Sequence, residues 1–216
     1  MASKVIQLLS NEGPTNLDIT DNILCNLGIA DIFALHATCR ALRWLVAQMT
    51  ESPYLLNVDR QLGHYIKDPS RFRCELGKCD GIIGEEFVRS FLEFNRHRHR
   101  HFMIEITIQE GHKSWQFIEY LLSLEELTVK NIDNDGLSSL QSTYDPSCFI
   151  WVRKMAQPPI VELINGAFTT VDLNFMTWNK AYSLLPVATV QKHKFYLLKP
   201  FGSDTGGQLK KLARVG

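Results

Sequence analysis

The chain has 216 residues, is 45% hydrophobic and 21% charged, and carries 23 basic against 23 acidic residues for a formal charge of zero. Those are globular values, long enough for one generous domain or two small ones with a real core. The balanced charge weighs against a protein whose main work is gripping a phosphate backbone, and no run approaches the ~20 apolar residues that a membrane span requires.

The N-terminal stretch MASKVIQLLSNEG turns polar too soon for a signal peptide, so the expected compartment is the cytoplasm or nucleus. Residues 14–49 read as short helices, with apolar steps of three and four through Ile23, Leu24 and Leu27, then Ile32, Leu35, Cys39, Leu42 and Leu45. Gly28 is the expected stop of the first and Asp31 lies near the start of the next. Residues 50–80 are mixed, with a turn signal at DPSRF.

From residue 81 the pattern becomes α+β. EEFVRSFLEF is a helix through Phe87, Phe91, Leu92 and Phe94, and MIEITI at 103–108 alternates and is rich in β-branched residues, as a strand does. WQFIEYLLSLEEL is the next helix. FIWV (149–152) and PIVELI (159–164) are strand candidates, FMTWNKAYSLL is helical or mixed, and 201–216 is a flexible tail. Trp115, Trp151, Trp178 and Tyr182 sit among Phe and Leu and are expected in the core.

The five cysteines, Cys25, Cys39, Cys74, Cys79 and Cys148, form no four-ligand zinc spacing and are expected as reduced thiols. The run NRHRHRH holds Arg96, Arg98 and Arg100 between His97, His99 and His101. An extended chain sets alternate histidines on one face about 6.5–7 Å apart, a spacing that suits zinc, but the arginines put like charge beside any cation. The same arginines are candidate phosphate contacts, helped by the basic Lys210, Lys211 and Arg214. A solvated helix-to-strand connection is the plainer reading of the run.

The segment ILCNLGIADIFALHATCRALRWLV resembles an F-box, matching it at Ile23-Leu24, Leu27, Asp31-Ile32, Leu35, Cys39-Arg40 and Leu45. Upstream, Thr15-Asn16 stand where the opening Leu-Pro belongs, while Ile19 keeps the next apolar position. The resemblance implies a Skp1-like adaptor as partner, bound through Ile19, Ile23, Leu24, Leu27, Ile32 and Leu35. The bare physics agrees that so short a helical hairpin must pack its apolar faces on a neighbour domain or a partner.

DPSRFR, LGKCD, the strand ending at Glu110-Gly111, and FTTVDLNFMTWNKAYSLLP together resemble a fungal family with an F-box-like segment followed by a nucleotidyltransferase-like region. That chemistry uses a Gly-Ser turn, where N–H groups approach the triphosphate, and two carboxylates at i and i+2 of a strand, which hold two metal ions. Laid against the family, the Gly-Ser falls on Glu85-Glu86 and the Asp-x-Asp on Met103 and Glu105. Two glutamates repel a triphosphate and a thioether is no ligand for Mg²⁺.

The resemblance therefore implies a degenerate site. The expected organisation is an F-box-like segment over 1–55, a nucleotidyltransferase-like mixed sheet with flanking helices over 56–200, and a tail. The expected function is a non-catalytic interaction protein with no cofactor or metal and with protein partners rather than nucleic acid. The alternative is an enzyme that rebuilds a Mg²⁺ or Mn²⁺ nucleotide site from Glu105, Glu162 and Asp172.

Overall fold

The computed structural model describes residues 4–10, 17–52, 55–92, 103–123, 125, 127–132, 137–142, 147–200, 202, 205–207 and 209–210. Four short helices open the chain: α1 (Lys4–Leu9), α2 (Leu17–Leu24), α3 (Ile29–Thr38) and α4 (Leu45–Glu51). Gly28 does not stop α2, which ends at Leu24. It is instead the N-cap of α3, and its N–H donates to the Asp31 carboxylate at 3.1 Å.

Leu9, Leu24, Ile32, Leu42, Leu45, Met49 and Leu55 close a core of their own. Helix α2 is fastened to α4 by a buried Asp21 carboxylate, which accepts from Gln48 Nε2 at 2.8 Å and Ser52 Oγ at 2.6 Å. The indole of Trp44 donates to the Leu9 carbonyl at 2.8 Å and ties α1 to the group. Leu9 of α1 and Leu55, both outside residues 14–49, thus cover part of the segment's apolar faces together with α4, while Leu17, Ile19 and Phe33 stay exposed. α3 also lies against the turn 187–191.

Two short helices follow, α5 (Val58–Leu62) and α6 (Pro69–Lys78). The DPSRF stretch, read as a turn, is the start of α6. Asp68 Oδ1 accepts from Arg71 N at 3.0 Å and Pro69 occupies the first turn, so the residues that favour a turn here cap a helix. The end of α6 is closed by two bonds, Gly81 N–H to the Leu76 carbonyl at 3.0 Å and Asp80 N–H to Gly77 at 3.3 Å. Asp80 takes the left-handed φ of 53° that this closure needs.

Cys79 lies buried in the same closure, its thiol donating to the Leu76 carbonyl. Burial pushes that thiol up from an ordinary 9.0 to about 11. A thiol that ionises later in the folded chain than in the unfolded one adds stability below pH 9 and loses it as pH rises through about 11. Urea midpoints should fall across that window by the equivalent of ~2–3 kcal/mol, and Cys79→Ala should flatten the step. An unchanged profile in the variant would refute this assignment.

The sheet then builds from β1 (Ile82–Ile83), β2 (Met103–Gln109), β3 (Leu127–Ile132), β4 (Leu137–Ser142), β5 (Phe149–Met155), β6 (Asn174–Met176) and β7 (Ala181–Ser183). Helix α7 (Glu85–Leu92) follows β1, α8 (His112–Ser123) follows β2 and α9 (Pro159–Gly166) follows β5. The strand order is β3-β4-β5-β2-β1-β6-β7, with β2 and β5 parallel and the other neighbours antiparallel. This is the expected α+β class, a mixed sheet with flanking helices.

One face carries Ile104, Ile106 and Ile108 of β2 with Ile150 and Val152 of β5, sealed by Phe72 and Leu76 of α6, Phe87 and Val88 of α7, and Phe117 and Leu121 of α8. Leu56 packs against both this core and the N-terminal one.

Two elements differ from the sequence reading. PIVELI is helix α9 rather than a strand: Pro158 and Pro159 preset its first turn, and Ile160, Leu163 and Ile164 recur at helical spacing. FMTWNKAYSLL is the β6–β7 hairpin, turned by Thr177 N–H donating to Lys180 O at 2.8 Å and held by a Phe175–Tyr182 stack at 4.9 Å. The β3–β4 pair had no counterpart in the sequence reading. The expected tail, 201–216, falls largely outside the described residues.

Candidate functional site

Ile83 ends β1, Gly84 turns the chain, and α7 begins at Glu85. The Gly84 N–H donates to the Glu105 carbonyl at 2.7 Å, and a Cβ at Gly84 would stand 3.3 Å from the Glu105 Cβ. A residue without a side chain therefore lets the start of α7 lie directly against β2 at Glu105.

Alternation along β2 buries Ile104 and Ile106 and turns Met103, Glu105 and Thr107 to the other face. Register pairs these three with Phe149, Trp151 and Arg153 of β5. All six are at most partly covered. Met103 and Glu105 thus share a face two residues apart, the arrangement in which paired carboxylates would hold metal ions. Only one carboxylate is present. It is engaged by the protein's own cation, with Arg153 Nη2 at 2.9 Å from Glu105 Oε1. Arg153 lies diagonally across from Glu105, opposite Thr107.

The other acids do not complete a site with Glu105. Asp172 Oδ2 accepts from the Phe168 and Thr169 N–H groups at 2.8 and 2.7 Å, so it shapes the approach to β6. Glu162 belongs to the first turn of α9, not to a strand. Glu86 is half-buried in α7, and its charge adds to the burial and the Cys148 thiol that raise the Tyr65 hydroxyl above its usual range. Among the described residues no three His, Cys, Asp or Glu side chains gather closely enough to hold a metal ion. The side chain of Glu85, and Arg96, Arg98, Arg100 and the three histidines between and after them, lie outside the described residues.

The expected partner-binding set divides. Leu24 and Ile32 are completely buried in the N-terminal core and cannot meet a partner without unfolding it. Ile23, Leu27 and Leu35 are half-buried against the same core, and Ile19 alone of the six is exposed. Leu17 and Phe33 join it on the surface. Trp115 and Trp178 are not core either. Trp115 is 61% exposed beneath the Lys154 ammonium, which sits 4.5 Å from its ring centroid.

The three segments that carry the family resemblance most closely meet in space. Arg73, from DPSRFR, grips Asp59 with both nitrogens at 2.7 and 2.9 Å and donates a third bond to the Trp178 carbonyl at 3.2 Å. Gly77, from LGKCD, leaves room for the Trp178 indole, whose Cγ would lie only 2.9 Å from an added Cβ. Trp178 itself belongs to TWNKAYSLLP. What these segments share is a clasp between α6 and the β6–β7 hairpin.

Two further residues escaped the sequence reading. Arg153 is the cation on Glu105, and its role depends on the β2–β5 pairing. Glu125, 2% exposed, accepts from Lys67 N–H at 2.6 Å, from Asp68 N–H at 3.3 Å and from the Tyr120 hydroxyl. Burial first, and the Glu125 bond next, drive the Tyr120 hydroxyl far above its ordinary value, so it stays a donor. Glu125 also lines a groove with Asp59, Lys67, Pro69, Ser70 and Arg71. One of two adjacent glutamates in a Leu-rich stretch gives no hint of its partners.

No family model and no curated protein sequence matches the chain. Among solved structures it is similar to an apo form of a CCA-adding enzyme, with a TM-score of 0.47 and 16% identity over 66% of this chain and 36% of that one. A CCA-adding enzyme in complex with ATP is similar with a TM-score of 0.42 and 17% identity, over 60% and 33%. The chain thus spans about a third of the length of the structures it matches. No helix among the described residues is long and apolar enough to cross a membrane.

Proposed function

We propose that this chain is a non-catalytic recognition protein, a degenerate nucleotidyltransferase-like α+β domain preceded by an F-box-like adaptor segment. The observation that carries the reading is Arg153 on Glu105. The sheet face that resembles a two-metal site holds one carboxylate, a thioether at Met103, and a guanidinium already paired with that carboxylate. The half-exposed guanidinium of Arg153 pairs with Glu105 and opposes the divalent ion that transfer chemistry would require. Asp172 is committed to backbone N–H groups, so recruiting it would break the turn ahead of β6.

Melting temperature with ATP and Mg²⁺ or Mn²⁺ tests the reading. The expected rise at millimolar nucleotide is no more than about 1 °C, because a ligand that does not bind adds no stability. Arg153→Ala should leave the rise unchanged and alter stability by less than about 1 kcal/mol, as expected of a half-exposed pair. A rise of many degrees that requires metal and vanishes in Glu105→Ala would overturn the proposal in favour of the enzyme. The adaptor half is tested separately, by whether the purified chain captures a Skp1-like protein and whether Ile19→Asp and Phe33→Asp abolish the capture.

A further inference from the structure

The strand order leaves β7 at one edge of the sheet. The bond from Thr177 N–H to Lys180 O sets the hairpin's alternation, so Ala181 and Ser183 turn their backbone N–H and C=O groups outward, away from β6. Large apolar side chains stand exposed on and beside this edge: Trp178 at 47%, Tyr182 at 37%, Leu184 at 46%, and after them Leu185 and Val187. Tyr182 is stacked on Phe175 and Trp178 is seated over Gly77, so each offers one fixed face.

The stretch of sequence that carries the edge has charge of one sign. Between Asp172 and Asp204 there is no acidic residue, while Lys180, Lys192, Lys194 and Lys199 all lie there, in a chain whose formal net charge is zero. All four lysines are exposed.

We propose that the β7 edge takes an extended segment of a partner protein, one in which apolar and acidic residues alternate, as an added strand. Strand addition supplies the outward backbone groups with partners. The apolar residues of the segment cover Tyr182, Leu184 and their neighbours, and its carboxylates, on the other face of the added strand, are drawn by the positive field of the lysine-only stretch rather than by paired contacts. The charge argues against a second copy, which would bring two lysine-only stretches together. It fits nucleic acid less well, because Leu184, Leu185 and Val187 gain nothing from bases and the stretch contains no arginine. A bilayer would strand the edge backbone without partners.

The inference deepens the recognition reading above by naming its surface. A nucleotide response at Glu105 would overturn that reading and leave the edge measurement standing.

The test is fluorescence anisotropy with the full chain and three labelled probes. One is a peptide of about ten residues alternating Glu and Val; the others are its Lys–Val counterpart and a single-stranded oligothymidine. The acidic peptide should bind at least about tenfold more tightly than the basic one, with an affinity that falls as salt is added. Lys180→Glu with Lys194→Glu should lose that preference, and Ala181→Pro, which removes one outward N–H, should weaken binding comparably.

The surface substitutions are exposed, and the wild-type comparison of the peptides stands even if Ala181→Pro does not fold. Equal binding of both peptides, tighter binding of the oligothymidine, binding unmoved by the lysine reversals, or a sedimenting dimer with no peptide binding would each overturn the proposal.

Discussion

Replacing Glu125 with alanine should cost the chain about 2–4 kcal/mol, among the largest losses available from one side chain outside the apolar core. The carboxylate serves three donors, the backbone N–H groups of Lys67 and Asp68 and the Tyr120 hydroxyl. Each donor left unmet in a buried place costs about 1–3 kcal/mol. The total stays below the sum because the groove lined by Lys67 and Asp68 lets water reach the two N–H groups.

The damage should not remain local. Lys67 and Asp68 form the entry to α6, and Asp68 is that helix's cap. Glu125→Gln should fall about midway, since an amide offers one acceptor and turns a donor toward donors. Tyr120→Phe should recover part of the loss in the alanine background by removing a donor that no longer has a partner. Urea unfolding of the three variants and the double variant checks this, and a Glu125→Ala chain as stable as the parent would refute the network.

The second large effect is expected at Gly81. Its φ is not in the left-handed region, so backbone freedom is not what the position needs. It needs space. An added Cβ would stand 2.4 Å from Leu76 Cδ1 and 3.0 Å from Ile108 Cγ2, and both neighbours are fully buried. With no solvent to move into, they can yield only by shifting α6 off β2. Gly81→Ala should therefore cost about 1–3 kcal/mol.

Gly166→Ala, where nothing lies within 4 Å, should cost far less. The combination with Leu76→Ala separates overpacking from other causes. If crowding is the reason, the alanine at 81 fills part of the space that Leu76→Ala vacates, and the pair costs less than the sum of the singles. Strict additivity would mean that the cause lies elsewhere.

What the sequence made legible was the periodic part. MIEITI had to be a strand with Ile104, Ile106 and Ile108 on one face, and the structure buries those three. EEFVRSFLEF had to be a helix with Phe87 and Phe91 inward, and α7 buries both. The unread part depended on context. PIVELI satisfies strand and helix propensity alike, and a pair of prolines at its head decided the matter. In FMTWNKAYSLL the spacing of Trp178 and Tyr182 suits a helix face, whereas the positions are fixed by a clasp to α6 about a hundred residues away. LTVKNI and LSSLQS are short and polar, and only their mutual pairing and the edge of β5 make them strands.

The candidate site divides in the same way. The positions of Met103 and Glu105 on one face follow from period two alone. That Arg153 would sit on Glu105 needed the register between strands whose centres lie more than forty residues apart. A single sequence does not carry such pairings, because each half looks like an ordinary exposed residue in its own strand.

The place of β1 in the sheet bears on how the chain is made. β1 lies between β2 and β6, yet β6 and β7 follow the other five described strands of this sheet in chain order. A chain leaving the ribosome from its N-terminus can therefore assemble the N-terminal helices, α6, β1 and the sheet out to β3 while one side of β1 is still bare and the Trp178 seat over Gly77 is empty. Until residue 183 emerges, the nascent protein carries an open strand edge beside an unfilled slot. The β6–β7 hairpin acts as a late lock: it covers that edge and moves the sheet's free margin outward to β7.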